Sequence, residues 1–182
     1  MEEKRVRDLM LPLKEYALVS EDATLLEALY ALDRAQTRLP AGKQLHRAVL
    51  VVNEREEVVG KLGHLGFLKA LEPKYDQMGN LPALSQVGLS QEFLQSMMND
   101  FRLWQDSLKN ICRRAGSVKI KDAMRPVTEN IDENASMTEA IHRIVMLQTL
   151  SLLVTRESKV VGILRLSDLF DELACEIKTG TD

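Results

Sequence analysis

Hydrophobic and polar positions follow the same order in two separated parts of the chain. Each part has an amphipathic helical pattern, marked by Leu25, Leu29 and Leu32 in the first part and by Met137, Ile141, Ile144 and Leu147 in the second. Two short apolar runs joined by a charged turn follow each helix, and a second helical pattern comes after them. With a short strand ahead of each first helix, around Leu18 and Ile131, both parts predict the order strand, helix, strand, strand, helix.

The residues themselves also repeat. Residues 6–12 (VRDLMLP) and residues 120–126 (IKDAMRP) form two lead segments with the same order: apolar, basic, Asp, apolar, Met, any residue, Pro. Each predicted helix then begins with a capping box, formed by Thr24 with Glu27 and by Ser136 with Glu139. A unit of about 60 residues buries little surface by itself, so we expect the two units to pack together as one pseudo-symmetric module.

The two copies differ where the last strand meets the last helix. Residues 160–170 read VVGILRLSDLF, whereas residues 58–68 read VVGKLGHLGFL. The second copy therefore carries Arg165, Ser167 and Asp168 at positions where the first copy carries Gly63, Leu65 and Gly66. The first copy also has about ten extra residues, 37–46, in which Pro40 and Gly42 predict a loop.

Between the copies lies a segment that repeats nothing. Its first part is broken by Gly79, Pro82 and Gly88, which favour short turns or a loop. From Ser90 to Arg114, apolar residues recur at helical spacing and predict one amphipathic helix of roughly 39 Å. Its apolar face either packs along its own module or covers a second subunit or another protein. The chain thus divides into residues 1–74, 75–118 and 119–182.

Composition limits the classes of function. With 182 residues, 45 % of them hydrophobic, the chain can build one folded core, and its net charge of −3 argues against nucleic-acid binding. The charged N-terminus and the lack of a long apolar run predict a cytoplasmic protein without a membrane segment. The three histidines and two cysteines form no metal-ligand spacing, and no catalytic array is recognisable, so we expect neither a metal site nor an enzyme.

The duplicated unit, which begins with Asp-x-Met-x-Pro and closes with Val-Val-Gly-Ile-Leu-x-x-x-Asp-Leu, resembles the CBS domain. The resemblance covers residues 6–71 and 120–178. It implies an α+β fold in which two β-α-β-β-α motifs pack as one Bateman-type module, here with a helical insertion. It also implies a regulatory role, because such pairs bind adenosine-containing ligands between their two units and control an attached or partner protein.

The resemblance assigns candidate binding residues to the second copy. Asp168 would accept hydrogen bonds from the ribose hydroxyls, which suits a carboxylate with two acceptor oxygens. Arg165 stands where the family more often has Thr; it would bind a phosphate, fill the cleft or pair with an internal carboxylate. Ser167 belongs to the same motif, and the stretch from Pro126 to Ile131, at the entry to the second copy, would add Thr128 and Ile131 against the adenine. The alternative is that Ser167 or Asp168 merely caps the last helix.

In the first copy the two glycines cannot accept from a ribose. We therefore expect that this half-site has lost its adenosine function, or is closed by the inserted loop or the central helix. The ligand class is an adenine nucleotide (AMP, ADP or ATP), with S-adenosylmethionine and NAD left open. The partners expected are a second copy of the chain in a homodimer and a protein target in trans. A ligand-free dimerisation or protein-interaction scaffold is the alternative function.

Overall fold

The computed structural model describes residues 4–39, 44–79 and 88–180. The first unit contains α1 (Val6–Leu9), β1 (Leu11–Pro12), β2 (Leu18–Ser20), α2 (Leu25–Gln36), β3 (Ala48–Val52), β4 (Val58–Gly63) and α3 (His64–Leu71). A 3-10 helix (Pro73–Met78) and the helices α4 (Gln91–Asp100) and α5 (Leu108–Ala115) follow. The second unit contains α6 (Ile120–Ala123), β5 (Arg125–Pro126), β6 (Asn130–Asp132), α7 (Met137–Leu147), β7 (Ser151–Arg156), β8 (Lys159–Arg165) and α8 (Leu166–Thr179).

This order confirms the α+β fold and the repeated strand, helix, strand, strand, helix pattern. The predicted helix caps are also present: the Thr24 side chain accepts from the Glu27 amide and Glu27 reaches back to Thr24, as a capping box requires. In the second unit the Ser136 side chain accepts from the Glu139 amide, but the Glu139 side chain pairs with Arg143, so only half of the predicted capping box is formed. No helix within the described ranges is long and apolar enough to cross a membrane.

The strands form two four-stranded sheets that exchange their lead segments. One sheet has the order β2-β3-β4-β5 and the other the order β1-β8-β7-β6. The strand β1 of the first repeat therefore pairs with β8 of the second, and β5 of the second repeat pairs with β4 of the first. The domain boundaries drawn from the sequence follow the repeats, whereas the packing of residues 6–12 and 120–126 crosses between them.

Apolar burial reinforces the exchange. Val6, from the first lead segment, is 1 % exposed in the core of the second unit, and Ile120, from the second, is fully buried in the core of the first. A third apolar cluster lies between the sheets and contains Tyr16, Leu50, Leu153 and Ile163. Burying these side chains stabilises both the units and their contact, since each large apolar side chain contributes on the order of 1.5–3 kcal/mol.

The glycine of each Val-Val-Gly run leaves room for the exchanged strand. A Cβ on Gly162 would lie 2.5 Å from the carbonyl oxygen of Leu11, and a Cβ on Gly60 would lie 3.0 Å from that of Arg125. The two lead strands can pair this closely only because these positions have no side chain. The repeated Val-Val-Gly motif is therefore explained by the contact between the units.

The single helix predicted from Ser90 to Arg114 is wrong. It is two helices, α4 and α5, and between them Arg102 and Trp104 have φ angles of 50° and 56°. A right-handed helix cannot continue through such residues. The side chain of Ser107 accepts from the Asn110 amide and begins the second helix.

Tertiary contacts at the 3-10 helix explain the break. The Trp104 amide donates to Glu72 Oε2 at 2.7 Å, and the Trp104 indole donates to the Tyr75 hydroxyl at 3.1 Å. Glu72 is 1 % exposed, so its carboxylate requires a donor from the protein. The backbone amide of Trp104 supplies that donor; in a continuous helix the same amide would donate to a backbone carbonyl of the preceding turn. The turns predicted around Pro82 lie outside the described residues, as do Pro40 and Gly42.

Candidate functional site

Arg165 and Asp168 meet at the junction of β8 and α8. Arg165 is the last residue of the strand and Asp168 lies in the first turn of the helix, three positions further along the chain. The guanidinium donates from Nε to Oδ2 and from Nη2 to Oδ1 of Asp168, each at 2.5 Å. The pair is bidentate. Of the three alternatives that the sequence left open for Arg165, the structure shows pairing with an internal carboxylate.

The pair is shielded from water and connected to the first unit. Arg165 is 5 % exposed and the Asp168 side chain is 12 % exposed. The remaining terminal nitrogen of Arg165, Nη1, donates to the carbonyl oxygen of Gln44 at 2.7 Å. Gln44 belongs to the ten extra residues of the first copy. This insertion therefore contacts the second copy's motif, rather than only its own half-site.

Tyr16 and His46 complete the cluster from the first unit. Their rings meet edge to face, with centroids 4.3 Å apart. His46 is fully buried, and neither of its ring nitrogens makes a well-formed hydrogen bond, although the Glu15 backbone lies close enough to act on the ring. A buried imidazole without a partner is costly to desolvate, which makes this ring a candidate contact for a bound polar group.

The electrostatics of these two rings reflect their burial and the nearby ion pair. Burial raises the pKa of Tyr16 to about 12; the Arg165 charge acts against this rise and the Asp168 charge adds to it. Burial also lowers the pKa of His46, with help from the Arg165 charge, while the Glu15 backbone and Asp168 act in the opposite direction. Both rings are therefore neutral near pH 7, and the Asp168 carboxylate is the negative charge paired with Arg165.

The capping alternative is not what the geometry shows. The helix α8 begins after Arg165, which is its N-cap residue, and no side chain makes the cap hydrogen bond. The Asp168 oxygens face the guanidinium instead. Ser167 is half-buried in the first turn of the same helix.

Thr128 and Ile131, which follow the second lead segment, do not join this cluster. Ile131 is 1 % exposed in the core of the second unit, so its side chain cannot meet a ligand in this conformation. Thr128 is exposed in the loop between β5 and β6. Within the described ranges no hydrogen bond or ion pair links either residue to Asp168. The structure thus keeps Arg165 and Asp168 together and sets Thr128 and Ile131 apart.

A second polar network lies on the glycine-bearing side. Lys61, two residues before Gly63, extends from β4 into the second unit and donates to Glu129 Oε2 at 3.1 Å and to the Ser151 carbonyl at 3.2 Å. Thr149 donates to the same Glu129 oxygen at 2.6 Å. Burial would raise the pKa of Glu129, but the bonds from Thr149 and Lys61 and the Lys61 charge outweigh it, and the pKa is lowered.

The sequence interpretation missed Lys61, Glu129, Tyr16 and His46. One signal was available: Lys61 interrupts an apolar run that predicts a strand, and a charge at such a position usually has a buried partner. Nothing in the spacing identified Glu129 as that partner. The first half-site therefore differs from the second in two ways: it carries Gly63 and Gly66, and an ion pair between the units lies beside these glycines.

Part of the sequence and the overall fold are similar to those of known proteins. A family model described as "CBS domain" matches residues 120–175. A search of curated proteins found no match. CBSX2 from Arabidopsis thaliana has a similar structure, with 16 % identity, coverage of 97 % of this chain and 98 % of that chain, and a TM-score of 0.61.

Two further solved structures are described as nucleotide complexes. CBSX2 in complex with AMP is 16 % identical, with coverage of 94 % of this chain and 97 % of that chain and a TM-score of 0.59. The cytosolic domain of the Mg²⁺ channel MgtE in complex with ATP is 18 % identical, with coverage of 94 % of this chain and 49 % of that chain and a TM-score of 0.58. Residues 120–175 thus form a CBS domain, and the chain as a whole has the fold of a tandem CBS-domain pair, a Bateman-type module.

Proposed function

We propose that this CBS-domain pair is a regulatory module that binds an adenine nucleotide at Asp168 and signals its occupancy to a protein partner. The observation that carries the proposal is the position of Asp168: its carboxylate sits at the strand–helix junction of the binding motif, within a polar cluster built from both units. The AMP and ATP complexes of similarly folded proteins support the ligand class.

The cluster also offers a physical route from ligand to partner. Arg165 joins the motif of the second unit to the Gln44 carbonyl of the first, and Tyr16 lies in the apolar cluster between the sheets. A ligand that displaces any of these contacts changes the interaction between the units. Its binding free energy is thereby coupled to their relative packing, which a partner protein can recognise.

A thermal-shift panel with AMP, ADP, ATP, S-adenosylmethionine and NAD tests the proposal. A ligand at a hundredfold excess over its Kd stabilises the folded state by about 2.7 kcal/mol, which raises Tm by roughly 5 to 11 °C in a chain of this size. We expect at least one adenine nucleotide to give such a shift in the wild type, and Asp168→Asn to abolish it. Asp171→Asn, an exposed carboxylate in the same helix, is the matched control and should keep the shift.

Asp168→Ala is a poorer variant for this purpose. It leaves the buried Arg165 guanidinium without its carboxylate, and breaking a buried ion pair from one side costs about 3–5 kcal/mol. Loss of ligand binding would then be hard to separate from loss of the fold. The asparagine keeps an acceptor oxygen and nearly the same volume.

A ligand-free interaction scaffold is the second candidate, favoured by the internal pairing of Asp168 with Arg165. No Tm shift with any member of the panel would select it. The homodimer remains a proposal under either function, and exposed apolar side chains on α4, among them Phe93, Leu94 and Met98, are candidate contacts. Light scattering of the wild type and of Phe93→Asp at micromolar concentration tests this proposal; a wild-type monomer would overturn it.

A further inference from the structure

Asp168 is already engaged in the ligand-free protein. Both carboxylate oxygens accept from Arg165, and only 12 % of the Asp168 side chain is exposed. We infer that the site selects its ligands by charge: an adenosine compound carrying a 5′-phosphate binds more tightly than adenosine or S-adenosylmethionine does. This inference rests on the proposed function, and it narrows the ligand class that the site accepts.

The first step is the cost of releasing Asp168. Ribose hydroxyls that donate to Asp168 would share its two oxygens with the guanidinium, and the sharing weakens the charge-assisted bonds that each oxygen now accepts from Arg165. Arg165 is 5 % exposed, and Asp168 is the one carboxylate that pairs with it in the described part of the chain. A buried guanidinium without a counter-charge is strongly unfavourable. A ligand that also brings a negative charge to Arg165 offsets this weakening of the ion pair, and an uncharged ligand does not.

Among the described residues, the other groups recorded next to this pair carry no negative charge. Gln44 offers only a carbonyl oxygen, and Tyr16 and His46 are neutral rings. A 5′-phosphate is attached to the same ribose that Asp168 would hold, so it reaches the neighbourhood of Arg165 in the same binding event. The planar array of donors on the Arg165 guanidinium suits phosphate oxygens as well as it suits a carboxylate. Adenosine brings no such group, and the sulfonium of S-adenosylmethionine adds a positive charge next to the ribose.

The neighbouring surface has the same sign. A cleft of about 220 Å³ opens beside Tyr16, and its described lining includes Lys14, Arg34 and Arg38 but no acidic residue. Positive charge in a cleft raises the local concentration of anionic ligands. The cleft and the buried guanidinium thus both favour nucleotides over the uncharged nucleoside.

Calorimetric titration of the full chain with adenosine, AMP, ADP and S-adenosylmethionine tests the inference. In the wild type we expect AMP or ADP to bind at least about tenfold more tightly than adenosine or S-adenosylmethionine. Arg165→Thr removes the guanidinium and leaves Asp168 free, so adenosine affinity should rise and the preference for the phosphate should fall towards unity. Arg156→Thr is the control, because Arg156 forms another bidentate pair in the second unit, with Glu133, and is itself 60 % exposed; its loss should leave the preference unchanged.

The outcomes separate the inference from the function on which it rests. Equal wild-type affinities for adenosine and AMP would overturn charge selection while leaving nucleotide sensing in place. A wild type that binds no member of the panel, together with an Arg165→Thr variant that binds adenosine, would also overturn the inference, since the phosphate would not have opened the site. Failure of both proteins to bind any adenosine compound, with normal thermal unfolding of both, would overturn the proposed function itself.

Discussion

Gly162→Ala tests the exchange of lead segments, on which the architecture depends. Gly162 pairs with Pro12, and an added Cβ would lie 2.5 Å from the Leu11 carbonyl oxygen and 3.0 Å from Met10 Sδ. The methionine can move, but the carbonyl belongs to the paired strand β1 and must shift by about 1 Å to regain ordinary contact. The shift weakens the pairing of β1 with β8 and the docking of Val6 into the second core.

The expected loss of stability follows from two opposing effects. Overpacking costs typically about 1–3 kcal/mol, and the stiffer unfolded chain returns about 0.4–1 kcal/mol. The net loss is on the order of 1–2 kcal/mol, which lowers Tm by roughly 2 to 8 °C. Thermal unfolding followed by circular dichroism measures this change.

Gly116→Ala is the matched control for this substitution. Gly116 has a right-handed helical conformation, and its added Cβ would meet nothing closer than 3.6 Å, so its Tm should stay level or rise. The reasoning is refuted if Gly162→Ala melts at or above the wild-type temperature, because the close pairing of β1 with β8 would then not be a tight constraint. A change in Tm equal to that of Gly116→Ala would contradict it in the same way.

Three further predictions concern the other polar contacts. A double-mutant cycle with Lys61→Met and Glu129→Gln, measured by urea unfolding, should give a coupling energy of at least about 0.5 kcal/mol. This coupling should exceed that of the exposed Lys121–Asp22 pair. Equal coupling energies would contradict the proposal that the Lys61–Glu129 pair stabilises the contact between the units. The pKa of Glu129 is lower in the folded state, so its contribution to the free energy of unfolding is present above the unfolded pKa of about 4.3 and is lost as the pH falls. The difference in stability between the wild type and Glu129→Gln should therefore narrow below that pH. A difference that stays constant with pH would argue against this contribution. Glu72→Ala should shift the fluorescence of the single tryptophan to longer wavelength, since its amide loses the Glu72 acceptor; an unchanged spectrum would show that other contacts hold this turn.

The sequence by itself determined the features that depend on local contacts. The helical spacing of apolar residues, together with the N-cap residues Thr24 and Ser136, predicted where α2 and α7 begin. The duplication predicted the same order of strands in both units. These features involve residues a few positions apart, and their signals are therefore readable along the chain. The repeat also identified the Asp168 motif, which the structure places at the strand–helix junction.

Only the tertiary structure decided which groups meet across large separations. The apolar spacing through Phe101 and Trp104 favoured one helix, and the buried carboxylate of Glu72 broke it, because a desolvated charge outweighs the propensity of a few residues. Arg165 left several partners open in the sequence; burial beside Asp168 selected one of them. The exchange of lead segments could not be predicted for the same reason: the two segments have the same pattern and fit either sheet, and the packing of the whole chain decided which sheet each one joined.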